Sequence, residues 1–177
     1  TPPLVDNSLL PQPRPPAPPE PTEQRLSCVV STPAAVRDRE ANQLKDLNLA
    51  AAWRLSRGAG QTVAVIDTGV ARHRLLPHLV PGGDYVFTGD GTDDCDGHGT
   101  VVAGIIGAAE DSTDGAGFSG VAPDATIIGI RQSSHKFAPA GRSAPGLGDV
   151  NTLAMAVRTA ADMGASVINV SSIACVA

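Results

Sequence analysis

No cluster of basic residues interrupts this 177-residue chain, whose formal net charge is −5. Without a cationic stripe it has no electrostatic footprint for nucleic acid, so nucleic acid is excluded as a partner. No apolar run approaches the roughly 20 residues that a helix needs to span a bilayer. No secretory signal is visible either, and Thr1-Pro-Pro does not open one. Cysteine is scarce. Cys28, Cys95 and Cys175 stand far apart, with no C-x-x-C and no metal-ligand spacing, so no metal site is assigned.

Two segments carry chemistry. Val63-Ala-Val-Ile-Asp67-Thr-Gly-Val70 begins as a short, β-branched, non-alternating run, which reads as a strand buried on both faces. Asp67 closes it, and the carboxyl ends of parallel strands are where open α/β sheets place their ligand crevices. After 31 residues comes Asp96-Gly-His98-Gly-Thr-Val-Val-Ala-Gly104, a histidine in a glycine-flanked turn. It leads into a helix expected over His98–Ala109, whose Ala103 and Gly104 would let it lie close to the sheet. A carboxylate that accepts from Nδ1–H fixes the imidazole tautomer, leaving Nε2 to take a proton from a hydroxyl.

At these residues the chain resembles the subtilisin-like serine proteases (subtilases). V-I-D-T-G-V is similar to their aspartate signature and H-G-T-x-V-A-G to their histidine signature. Gly120-Val-Ala-Pro123 and Val167-Ile-Asn-Val-Ser171 match two framework segments in the same order. The resemblance covers about Trp53 to Ser172 and implies that Asp67 and His98 are the acid and base of a catalytic triad, with no cofactor. A narrower likeness is to the mycosins, the envelope-anchored subtilases of mycobacterial type VII secretion. It rests on Trp53-Arg-Leu-Ser-Arg-Gly-Ala-Gly60, the Pro-rich leader, Gly129-Ile-Arg-Gln-Ser-Ser134 and the Asp93-Asp-Cys95-Asp96 loop. That likeness implies export to the extracytoplasmic face of the envelope and a membrane anchor outside this chain. It also implies secreted proteins as substrates and a type VII secretion membrane complex as partner.

The third triad member is missing. The family's nucleophile lies in a Gly-Thr-Ser-x-Ala turn at the head of a helix, and no serine here has that setting. Ser119 sits in Gly117-Phe-Ser-Gly120, and Ser171 and Ser172 follow a strand. The family's oxyanion-binding Asn in a later Gly-Asn segment is absent too, and Asn169 belongs to a different motif. Loss of one triad member lowers turnover by about 10⁴ to 10⁶-fold, so this chain alone is expected to be inert. Three readings stay open: a nicked protease whose C-terminal, Ser-containing portion is a separate chain; a truncated piece; or a non-catalytic scaffold of the secretion assembly. The nick is favoured because Ile173-Ala-Cys-Val-Ala177 follows a core strand, where an exposed loop is open to cleavage.

The family binds an extended substrate between two backbone strips, which fall here at Gly146-Leu147-Gly148 and Ser171-Ser172-Ile173. The second departs from the usual Ser-Leu-Gly, and a β-branched Ile173 in the Gly position puts a broad aromatic preference in doubt. Val101 replaces a second histidine of the family's H-G-T-H pattern, at a site without a catalytic role. Cys28 and Cys95 are expected to pair, stapling the leader to the loop before His98, with Cys175 bonded to the absent portion; free thiols are the alternative.

The leader itself has nine prolines within Thr1–Pro21 and reads as an extended, polyproline-like segment. Composition alone favours a disordered tail, but the likeness to the mycosins implies that residues 1–43 form an arm wrapping the domain. Residues 44–177 would then be the N-terminal portion of a catalytic domain. Helices are expected over Asp38–Asp46, Leu49–Ser56 and from Asp149 to about Met163. The last would present Val150, Leu153, Ala154, Val157 and Ala161 on one face, with Gly164 ending it. Further strands are expected at Ala125–Ile130 and Ser166–Ser171. The alternation specifies an α/β class with a mostly parallel central sheet, and the resemblance implies the three-layer subtilisin-like arrangement. Asp90, Asp93, Asp94 and Asp96 read as a solvated acidic loop rather than a calcium site. His73, His78 and His135 receive no catalytic role.

Overall fold

The computed structural model describes residues 6–30, 47–110, 118–143 and 146–171. In chain order these form β1 (Thr22–Gln24), α1 (Leu49–Trp53), β2 (Thr62–Asp67), β3 (Leu79–Asp84), α2 (His98–Gly107), β4 (Thr126–Arg131), β5 (Phe137–Pro139), α3 (Val150–Asp162) and β6 (Val167–Val170). The main sheet runs β3-β4-β2-β6 and all its pairings are parallel. Ser172, Ile173, Cys175 and the helix expected over Asp38–Asp46 lie outside the described residues.

β2 and β4 lie inside the sheet with five consecutive buried residues each, which requires a layer on both faces. Alternation of side chains divides the core accordingly. Val63, Val65 and Ile127 meet Ala103 of α2 on one side. Ala64, Ile66, Ile128 and Ile130 meet Ala156 and Ala160 of α3 on the other. This is a three-layer α/β fold.

Three elements differ from the sequence expectation. β3 reads Leu-Val-Pro-Gly-Gly-Asp, a pattern that argues against a strand. It is accommodated because β3 is at the sheet edge, where Pro81 leaves no ladder bond unmade, and a register shift falls between Pro81 and Gly83. α2 approaches the sheet through Gly99 and Gly107 rather than Gly104: a Cβ at Gly99 would run into the Gly69 carbonyl, whereas Gly104 faces open space. α3 docks through Thr152, Ala156 and Ala160, with Leu153 and Met155 packed alongside. Val150, Val157 and Ala161, placed on the core face by the sequence, are exposed. Small side chains let the helix lie close to the sheet, and the larger apolar ones flank the contact.

The ends of α3 follow expectation. Asp149 Oδ1 accepts from the N–H groups of Asn151 and Thr152 at 2.7 and 2.9 Å, with Thr152 completing a capping box. Gly164 turns the chain out at φ 78°.

The proline-rich segment makes contacts along its described length. The Pro11 carbonyl accepts from Arg158 of α3, and Pro16 lies against Gly83 of β3. β1 pairs antiparallel with β5. Cys28 is joined to Cys95 by a disulfide, and Val29 N–H donates to the Cys95 carbonyl at 2.8 Å.

Candidate active site

Parallel pairing puts the carboxyl ends of β2, β4 and β3 in register, so Asp67, Arg131 and Asp84 lie in a row across the sheet. Arg131 and Asp84 form a buried ion pair, with Arg131 Nε 2.9 Å from Asp84 Oδ2. Asp84 Oδ1 accepts from the Val86 and Phe87 N–H groups at 2.8 and 2.9 Å. A desolvated charge is tolerated when its partner and its remaining lone pairs are satisfied in this way.

Asp67 points instead toward α2. Its Oδ1 lies 2.7 Å from His98 Nδ1 and accepts from the Thr68 N–H at 2.7 Å. The carboxylate side chain is 1% exposed and the imidazole 57% exposed, so a buried anchor holds a ring that faces solvent. A carboxylate can only accept here. Nδ1 therefore carries the proton, and Nε2 is free to act as a base. The hydrogen bond to Asp67 and then its charge raise the His98 pKa above its ordinary 6.5; burial opposes the shift and the Asp94 carboxylate adds to it.

The acidic loop before His98 is solvated at Asp90 and Asp93, as the sequence suggests, but Asp94 and Asp96 are half-buried acceptors rather than solvated charges. Asp90 Oδ1 accepts from the N–H and hydroxyl of Thr92, which hold its pKa below the ordinary value. Asp94 accepts from Thr68 Oγ1, Gly97 N–H and both donors of Thr100. Asp96 accepts from the Ser134 hydroxyl and the His135 N–H at 2.5 and 2.8 Å. Asp90, Asp94 and Asp96 each serve a separate set of donors, and no group of three metal-binding side chains converges among the described residues.

A cleft of about 560 Å³ opens beside His98, with Val29, Asp96, His135, Lys136, Leu147 and Ser171 along its walls. Two of the six expected substrate-strip residues, Leu147 and Ser171, thus border it. Leu147 forms an antiparallel bridge with Ser134, and Gly146 N–H donates to the Phe137 carbonyl at 2.7 Å. Gly148 packs against Ser133. Ser119 is buried and its hydroxyl lies against the Ala108 and Gly120 carbonyls, while Ser171 Oγ donates to Asn169 Oδ1 at 2.7 Å.

Sequence reasoning did not find Val29, His135 or Lys136, which reach the cleft through tertiary contacts, nor the organising bonds of Asp94. For Asp94 a signal was present: a carboxylate four residues before a glycine-flanked histidine that begins a helix without a side-chain cap.

The profile of the Subtilase family (Peptidase S8) matches residues 58–173. Mycosin-4 of Mycobacterium tuberculosis is 63% identical over 181 residues, which cover 99% of this chain and 39% of that protein. The structure of the MycP3 protease from the type VII (ESX-3) secretion system superposes with a TM-score of 0.82 at 46% identity, over 97% of this chain and 48% of the other. The periplasmic assembly of the ESX-5 inner membrane complex includes a chain that superposes with a TM-score of 0.85 at 40% identity, over 99% of this chain and 49% of its own. The chain therefore spans less than half the length of these relatives.

Proposed function

The chain belongs to the subtilase family, and on that premise we propose that it is the Asp- and His-bearing part of a mycosin-like serine endopeptidase acting on secreted proteins. The observation that carries the reading is the bond between buried Asp67 and exposed His98 at the mouth of the cleft. The nucleophilic serine is contributed by the C-terminal portion of the same protease.

Two exposed apolar surfaces support that division. α2 is apolar on every side, as in a helix enclosed all round, yet Val101 is 62% and Ile105 45% exposed. β6 is an edge strand whose Val167 and Val170 are also exposed. The serine-bearing portion covers both and brings its hydroxyl to His98 Nε2.

In the reaction Nε2 removes the serine proton as Oγ bonds to the scissile carbonyl carbon. Asp67 stabilises the resulting imidazolium. His98 returns the proton to the leaving amine as the C–N bond breaks, giving an acyl-enzyme that water hydrolyses with the same base. A backbone N–H and an Asn side chain of the C-terminal portion hold the oxyanion. The extended substrate lies along Gly146-Leu147-Gly148 and Ser171-Ser172-Ile173. Residues 1–43 act as an arm around the domain, and the protein works at the extracytoplasmic face of the envelope. A second reading is that the fold serves as a docking module of the secretion assembly; the likeness to a chain of an inner membrane complex favours it.

Fluorophosphonate labelling of the full-length protein separates the two. The protease reading expects an adduct on a serine beyond residue 177, lost in His98→Ala and absent from residues 1–177 alone. Folded full-length protein that takes no label leaves the docking reading.

A further inference from the structure

His98 is the first residue of α2 and its ring is bonded to Asp67, so the start of α2 determines where the ring sits. The first turn of that helix is unusual. Its N-cap, Gly97, has no side chain to accept from the free N–H groups, and the Val101 N–H to Gly97 carbonyl contact is long at 3.4 Å. The missing acceptors come from outside the helix. Thr68 Oγ1 accepts from the Gly99 N–H at 3.0 Å, and Asp94 Oδ2 accepts from the Thr100 N–H at 2.8 Å and its hydroxyl at 2.6 Å.

The other oxygen of Asp94 accepts from Gly97 N–H at 2.8 Å and from Thr68 Oγ1 at 2.9 Å. Thr68 follows Asp67 and Gly97 precedes His98. One carboxylate therefore grips the residue after the acid, the residue before the base and the first turn of the base's helix. Thr100 Oγ1 extends the clamp by accepting from the Ala71 N–H at 2.9 Å, beyond the end of β2. Asp94 itself stands apart from the cleft walls described above.

We propose that Asp94 is a positioning residue for the catalytic pair, setting the register between Asp67 and His98 through Thr68, Gly97 and Thr100. The proposal rests on the protease reading for its kinetic consequence, though not for its geometric one. A negative charge at the head of α2 also complements the helix dipole. Losing the clamp lets α2 slide against β2, and a displacement of about 1 Å at a reacting group can lower turnover by about 10²-fold. Among the described residues, Asp67 from β2 and Asp94 from the preceding loop act on the charge of His98, and Asp96 with His135 and Lys136 after β4 line the same cleft.

The test compares Asp94→Asn and Thr68→Val in the full-length protease, with Asp90→Asn as control. Asp90 is a carboxylate of the same loop whose bonds go to Thr92. The expected result is a fall in kcat of about 10 to 100-fold with little change in KM for both clamp variants. In Asp94→Asn the acidic limb of kcat and the NMR titration of the His98 ring also move to lower pH. The low-field proton resonance of the His98 Nδ1–H weakens in both clamp variants, and Asp90→Asn changes nothing. Wild-type kcat and an unaltered Nδ1–H resonance in the clamp variants would overturn the proposal. If Asp94→Asn does not fold, the near-isosteric Thr68→Val decides by the same two readouts. A wild-type protein that takes no fluorophosphonate refutes the protease reading instead, and the Nδ1–H resonance still judges the clamp.

Discussion

Breaking the Cys28–Cys95 disulfide gives a perturbation whose size follows from the topology. The two cysteines are 67 residues apart, and the segment between them contains β2 and β3. In the chain-entropy model a cross-link closing a loop of that length removes enough freedom from the unfolded chain to stabilise the fold by about 4 kcal/mol. For a full-length protein more than twice this length, as its relatives are, each kcal/mol corresponds to about 1 to 2 °C, so Cys28→Ser/Cys95→Ser should melt roughly 5 °C below the oxidised wild type. The assay is thermal unfolding of the full-length protein followed by circular dichroism, with urea midpoints as a second measure. The variant keeps the other contacts of the leader, among them Val29 N–H to Cys95, β1 with β5, and the bonds of Pro11 with Arg158 and Thr22 with Val86. None of these restricts the unfolded chain, so they do not replace the cross-link. A melting point within about 1 °C of wild type, a difference of about 1 kcal/mol or less, would refute the reasoning, because residues 6–30 would then unfold separately from the sheet.

Arg131→Met should cost about 3 to 5 kcal/mol in urea denaturation, because it leaves the Asp84 carboxylate buried without its counter-charge. Asp84→Asn in the same background should recover part of that loss. Asp149→Ala removes the N-cap of α3 and should cost about 1 kcal/mol by the same measurement. His98 also makes stability depend on pH. Its pKa is raised in the folded chain, so the contribution of its pair with Asp67 is fully present below about pH 6.5 and disappears as pH rises through the elevated folded value.

The parts legible in the sequence are those where one local pattern determines the outcome. Val63–Ile66 can only be an enclosed strand, and Asp149 with Gly164 brackets α3 by cap chemistry that acts over a few residues. Asp67 and His98 stand in motifs whose spacing is specific, and the fold brings them to 2.7 Å. Readings failed where tertiary context overrode local pattern. β3 violates strand preference with Pro81 and two glycines, and is a strand because β4 supplies a ladder. The face of α3 is legible only in part: Leu153 packs against the core as expected, whereas Val150 and Val157 do not, because close docking favours Ala156 and Ala160. Asp94 and Asp96 read as solvated because sequence does not show that Thr68, Thr100 and Ser134 converge on them.

The rate at which a fluorophosphonate acylates the full-length protein, followed against pH, tests the acid–base assignment most directly. The rate should rise with pH through a single inflection above about 6.5, the ordinary histidine value, as His98 loses its proton. Asp67→Asn should lower the plateau by about 10⁴-fold, because the amide favours the wrong tautomer. Labelling that is indifferent to pH across that range, or an Asp67→Asn plateau equal to wild type, would contradict the assignment.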